Sequence, residues 1–162
     1  MLFRSARARL RERLPSHKPA WPASVDASAA ESDLLKKYVE ASEAADFRAF
    51  ESIIRADATF RMPPEPGTAA GREAMFKVWV EGGFGSERFV RLRCIVTRAN
   101  MQPAVAAYVC RPGDSTWRAL ALDVLRIEDG LITEIVTFMP DRFPLFGLPI
   151  LMDPSPEMNK CQ

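Results

Sequence analysis

The stretch Thr116–Met139, "TWRALALDVLRIEDGLITEIVTFM", sets two apolar-rich runs either side of Asp129-Gly130. An Asp-Gly pair between such runs suits a two-residue hairpin, whose central positions both need positive φ. Two antiparallel strands are therefore predicted. Folding them about the turn puts Leu125 opposite Glu134 and Asp123 opposite Val136. Asp123 and Glu134 then lie diagonally on one face, and Ala119 and Ala121 on that face leave room beside them. Both faces carry apolar side chains, so alternation does not say which one is concave.

Upstream, "RFVRLRCIVTR" (88–98) and "PAVAAYVCR" (103–111) read as two more strands, joined by "ANMQ" and followed by the turn "PGDS". Before them, "REAMFKVWVEG" (72–82) carries Met75, Phe76 and Trp79 at helical spacing, and "DATFRM" (57–62) alternates as a short strand. Two helices come first. Ser32 is expected to cap "DLLKKYVEASEAA", with Leu35, Tyr38, Val39 and Ser42 on one face, and Asp46 to cap "FRAFESIIRA", with Phe47, Phe50, Ile53 and Ile54 inward. The order helix, helix, strand, helix and four antiparallel strands predicts an α+β fold in which a curved sheet wraps three helices and leaves a pocket at its open end.

At 162 residues and 48% hydrophobic composition, one domain with appendages is expected. Charge is unevenly spread: residues 1–20 hold six Lys/Arg against Glu12 alone, while the remainder is net acidic. Nucleic-acid affinity therefore belongs to the N-terminus. There, "LFRSARARLRERL" (2–14) repeats Phe3, Ala6, Leu10 and Leu14 on one helical face, and "PSHKPAWPASVDASAA" (15–30) reads as an extended linker. Cys94, Cys110 and Cys161 fit no metal spacing, and His17, the one histidine, is remote from them. Reduced thiols, a cytoplasmic location, no metal and no cofactor are the expectations. No run approaches the length of a membrane helix, so no membrane partner is expected.

Residues Ser32 to Pro149 resemble the SnoaL-like branch of the nuclear-transport-factor-2-like superfamily, which includes ketosteroid isomerases, polyketide cyclases, epoxide hydrolases and many non-enzymes. The resemblance implies a SnoaL-like cone, three helices packed on a curved, mostly antiparallel sheet. Within that branch, "LLKKYVEASEAADFRAFESIIRADATFRMPPEP", "VTRANMQPAVAAY" and "RFPLFGLP" resemble the C-terminal domain appended to certain extracytoplasmic-function sigma factors. "ARARLRERLP" is similar to the end of the helix that closes region 4 of such factors. The implied organisation is a region 4 remnant at 1–14, a Pro/Ala/Ser linker at 15–30, the domain at 31–149 and a tail at 150–162, in a chain truncated at its N-terminus. The implied partners are the sigma core and RNA polymerase, with promoter DNA bound only by the full-length protein. The linker lacks the glycine-rich acidic motif of some such factors, and the tail lacks their Asn-Pro-Asp-Lys type ending, so a different subgroup is implied.

The residues that carry chemistry follow from these readings. If the protein is an enzyme, Asp57, Asp123 and Glu134 are the candidate acids and bases, since two nearby carboxylates can split their pKa values. The alternative for each is structural: solvated carboxylates on an outer face, and local backbone bonding at Asp57. Phe60, Met62, Trp79, Tyr108, Asp123 and Phe138 are candidate pocket residues for an apolar small molecule, or else plain core. Pro63, Pro64, Glu65 and Pro66, with Phe143, Leu145 and Phe146, are the candidate interdomain contacts implied by the resemblance. Against this, Phe143–Pro149 folds back over its own domain. Arg7, Arg9, Arg11 and Arg13 are candidate phosphate contacts, or a solvated arm. A regulatory sigma-factor domain is the leading expectation, with a stand-alone enzyme and a ligand-binding homodimer as rivals.

Overall fold

The computed structural model describes residues 28–89 and 91–153. The arginine helix, most of the linker and the end of the tail, including Cys161, lie outside the described residues. Helix α1 (Ala29–Ala44) begins one turn earlier than the cap at Ser32 would allow: Ser28 accepts the Glu31 N–H at 3.1 Å, and Ser32 is already bonded into the helix through the Ser28 carbonyl. Ala29 and Ala30 are strong helix formers, so the better-placed upstream Ser wins. Ala45 closes α1 in the left-handed region at φ 49°, and Asp46 caps α2 (Phe47–Ile53), accepting from the N–H groups of Arg48 and Ala49. Ile54, expected on the helix, opens strand β1 (Ile54–Arg61) instead.

A two-residue strand β2 (Ala69–Ala70) and helix α3 (Arg72–Glu81) precede four strands: β3 (Leu92–Ala99), β4 (Gln102–Val109), β5 (Trp117–Glu128) and β6 (Leu131–Phe138). The sheet order is β2-β1-β6-β5-β4-β3; β1 runs parallel to β6 and the other pairs are antiparallel. After β6 the chain makes a 3-10 segment (Pro140–Phe146) and returns as β7 (Leu151–Met152), which pairs with the start of β5. The α+β architecture and the antiparallel run of strands are as the sequence predicts. Among the described residues, no helix is long and apolar enough to cross a membrane.

Register is where the structure departs from simple alternation. From the Asp129-Gly130 turn, Glu128 pairs with Leu131 and Ile127 with Ile132, as expected. Then Arg126 pairs with Glu134, leaving Thr133 as an extra residue on β6. This bulge moves every later partner by one: Leu125 faces Ile135 and Asp123 faces Thr137, not Val136. A second bulge, at Leu120 of β5, separates the Ala107–Ala121 and Tyr108–Ala119 pairs. Ala119 and Ala121, expected on one face, therefore lie on opposite ones.

Both faces of the sheet are covered. Between sheet and helices, Leu35, Tyr38, Phe50, Leu125, Ile132 and Ile135 form one buried layer. On the far face, Ala104, Ala106, Tyr108, Leu122 and Phe143 form another, closed over by the Pro140–Phe146 segment and Leu148. Two-sided burial is why neither face reads as polar in the sequence.

Candidate functional site

The helix-covered face opens into a cavity of about 320 Å³ whose walls include Phe60, Met62, Trp79 and Ala121. The aromatics pack edge-on, Phe60 with Trp79 at 6.0 Å and Phe50 with Trp79 at 5.1 Å, a geometry favoured by ring quadrupoles. Asp123 on β5 lies in this lining, and among the described residues it is the cavity's one carboxylate. Tyr38 of α1 donates its hydroxyl to Asp123 Oδ2 at 2.9 Å, and Thr137 of β6 donates to Oδ1 at 2.5 Å. One helix and two strands thus converge on a single carboxylate.

The electrostatics follow from that burial. Removal from water pushes the Asp123 carboxyl up from its ordinary value, and the Thr137 and Tyr38 hydroxyls, which favour the charged form, oppose the rise. Tyr38 is raised well above its usual value, first by burial and then by the Asp123 charge. Cys94, also in the lining, is pushed up to about 12, chiefly by burial and then by Asp123 and Glu43. At neutral pH the thiol and phenol keep their protons. Such a site can accept a hydrogen bond from a bound molecule or take a proton from it, with apolar walls around the rest of the ligand.

The expected carboxylate pair does not form. Glu134 points to the far face, where its Oε1 meets Arg61 Nη2 at 2.7 Å, because the Thr133 bulge inverts its facing relative to Asp123. Asp57 is 72% exposed and ion-paired with the side chain of Arg55, which holds its carboxyl below the usual range, and it does not line the cavity. Tyr108 is also displaced from the expected pocket: it is buried on the far face, donates to the Pro149 carbonyl at 3.0 Å and meets Phe143 edge-on at 5.4 Å. Phe138 faces the same way. Phe60, Met62, Trp79 and Asp123 do line one cavity, while Tyr38, Thr137 and Cys94 were not picked out by sequence. A hydroxyl on the apolar face of α1 was the available signal, since a buried Tyr needs a partner.

On the far face a groove of about 710 Å³ runs from Pro63-Pro64 across β6, β5 and β4 to the β3–β4 hairpin. Pro63, Pro64, Leu145 and Phe146, from both proline-rich segments, meet along it. Phe143 does not take part: it is fully buried beneath its own segment, while Leu145 is 71% exposed. Glu65 and Pro66 are exposed on the loop beyond the groove. Met139 lines both groove and cavity.

A family model described as a SnoaL-like domain matches residues 35–135. A curated relative, the ECF RNA polymerase sigma factor SigG of Mycobacterium tuberculosis, is 33% identical over 118 residues, covering 72% of this chain and 31% of the relative. The chain thus spans about a third of that relative's length. Among solved structures, an NTF2-like protein from Burkholderia xenovorans LB400 aligns with a TM-score of 0.54 at 14% identity, covering 67% of this chain and 80% of that one. Bal32a, from a soil-derived mobile gene cassette, aligns with a TM-score of 0.54 at 14% identity, covering 76% and 98%. At those identities the two structures establish the fold.

Proposed function

The chain belongs to the SnoaL-like domain family, and from that premise we propose that it serves as the C-terminal regulatory domain of an extracytoplasmic-function RNA polymerase sigma factor. The observation that carries this reading is the 33% identity to a sigma factor over 118 residues. In this role the domain acts by contact with the sigma core through its two proline-rich segments, Pro63, Pro64, Glu65 and Pro66 on one and the exposed Leu145 with Phe146 on the other. Core polymerase and promoter DNA are partners of the full-length protein in the cytoplasm, the DNA phosphates being met in part by Arg7, Arg9, Arg11 and Arg13. The cavity around Asp123 serves as a sensor for an apolar small molecule with one hydrogen-bond donor.

The test begins with the source genome. An open frame upstream that encodes sigma regions 2 and 4 is expected, and deleting residues 28–162 from the whole factor should change transcription from its own promoter severalfold. A genuine start site with no sigma regions before it, or unchanged transcription, overturns the proposal.

The Tyr38–Asp123–Thr137 cluster favours a second reading, an isomerase, cyclase or epoxide hydrolase in which Asp123 is the base. That reading requires turnover of an apolar carbonyl or epoxide substrate that is lost in Asp123→Asn. Binding without turnover supports the sensor instead.

A further inference from the structure

The Asp123 cavity and the far-face groove meet at one end of the sheet. Strands β1 and β6 run parallel with Arg61 beside Val136, so both leave the sheet there, β1 into Pro63-Pro64 and β6 into Pro140–Phe146. Met62 and Met139 stand at those two exits, each one residue past its strand, and both line the cavity.

The backbone of each methionine holds the turn that follows it. The Glu65 N–H donates to the Met62 carbonyl at 3.0 Å, and the Arg142 N–H donates to the Met139 carbonyl at 3.1 Å. Residues just beyond, Pro63 and Pro64 in one segment and Leu145 and Phe146 in the other, line the groove, and Met139 lines both spaces. On the opposite side of the cavity Tyr38, Phe50 and Trp79 are fixed in helices by edge-on ring contacts. A methionine side chain is unbranched with three rotatable bonds, so it repacks around a new neighbour at small cost. The cavity wall therefore yields at Met62 and Met139, where the two segments begin.

We propose that the cavity and the groove are coupled through this methionine pair: a molecule bound beside Asp123 repositions Met62 and Met139, and the turns their carbonyls hold carry that change into both proline-rich segments. This coupling, which presupposes the cavity's role as a sensor, gives occupancy a route to the groove. A ligand shifts a structure only through contacts that differ between its bound and free states. Here those contacts are packing on the two thioether side chains and a hydrogen bond to Asp123, which Thr137 ties to β6 two residues before Met139. Coupling is reciprocal, so a partner seated on the two segments changes the cavity's affinity by the same factor that cavity occupancy changes the partner's.

The test uses the full chain with isotopically labelled methionine methyls, and 2-naphthol as the probe, an apolar bicycle with one hydroxyl donor. Its place is read from nuclear Overhauser contacts: Ala121 lines the cavity and not the groove, Val124 and Val136 the groove and not the cavity. With the probe against Ala121, the Met62 and Met139 methyls should shift while that of Met101, at the tip of the β3–β4 hairpin, does not. Amide exchange at Glu65 and Arg142 should change about fivefold or more. At saturating probe, Met139→Leu, which keeps an apolar side chain but adds a branch, should lose the Arg142 response and keep that at Glu65; Met139 is 47% exposed, so the variant should keep the fold. Three outcomes overturn the coupling and leave the sensor cavity standing: contact at Ala121 with Glu65 and Arg142 unchanged, a response confined to the Gly82–Phe89 loop, or an Arg142 response intact in Met139→Leu. No binding, or contacts to Val124 and Val136 alone, overturns both.

Discussion

At the scale of single residues, Asp123 holds two hydroxyls in a site that costs it water, and its titration should report both effects. Its folded pKa lies above its ordinary value of 3.8. Between the unfolded and folded pKa values the native state therefore binds more proton than the unfolded state. The stability associated with this group is full below the unfolded pKa and declines as pH rises through the folded one. Urea titrations at several pH values should show that decline in the parent protein and its absence in Asp123→Asn. Tyr38→Phe has a different signature. It removes a donor that favours the charged form, so the Asp123 carboxyl should titrate still higher by carbon NMR, with about 1–3 kcal/mol of stability lost. A lowered pKa would mean that the phenol is not the partner.

At the scale of elements, the Pro140–Phe146 segment divides its labour between two neighbouring side chains. Phe143 is fully buried against Tyr108, whereas Leu145 faces outward. Phe143→Ala should cost about 3–5 kcal/mol in chemical denaturation, and Leu145→Ala within about 0.5 kcal/mol. If Leu145→Ala nonetheless weakens transcription by the whole factor, this segment is a contact surface; if it leaves transcription unchanged, the segment is not. Strand positions were readable because apolar periodicity changes from helical to alternating at the right places, and Asp129-Gly130 marks its turn plainly. Facing was not readable beyond the hairpin tip. Thr133 and Leu120 each insert one residue, and neither side chain is of a type that announces a bulge; Thr133 is an ordinary strand residue whose hydroxyl happens to reach the Arg126 carbonyl at 3.4 Å.

At the scale of the whole molecule, the far face of the sheet is covered in part by the chain's own C-terminal segment, with Phe143, Phe146 and Leu148 packed on it. Sedimentation at micromolar concentration should accordingly give one chain of 18.1 kDa. A dimer would assign the groove to a second copy and favour the homodimer reading. The sequence alone determined the order of the main elements, the α+β class, the cap at Asp46 and the hairpin at Asp129-Gly130. Those features depend on local propensity and on side-chain period, which are written residue by residue. Only the tertiary structure decided that Asp123 and Glu134 part to opposite faces, that Tyr38 and Thr137 complete the carboxylate's shell, and that two proline-rich segments 80 residues apart border one groove. Those outcomes depend on two one-residue bulges and on a sheet apolar on both sides, where a shift of one position exchanges faces without altering the pattern of apolar residues.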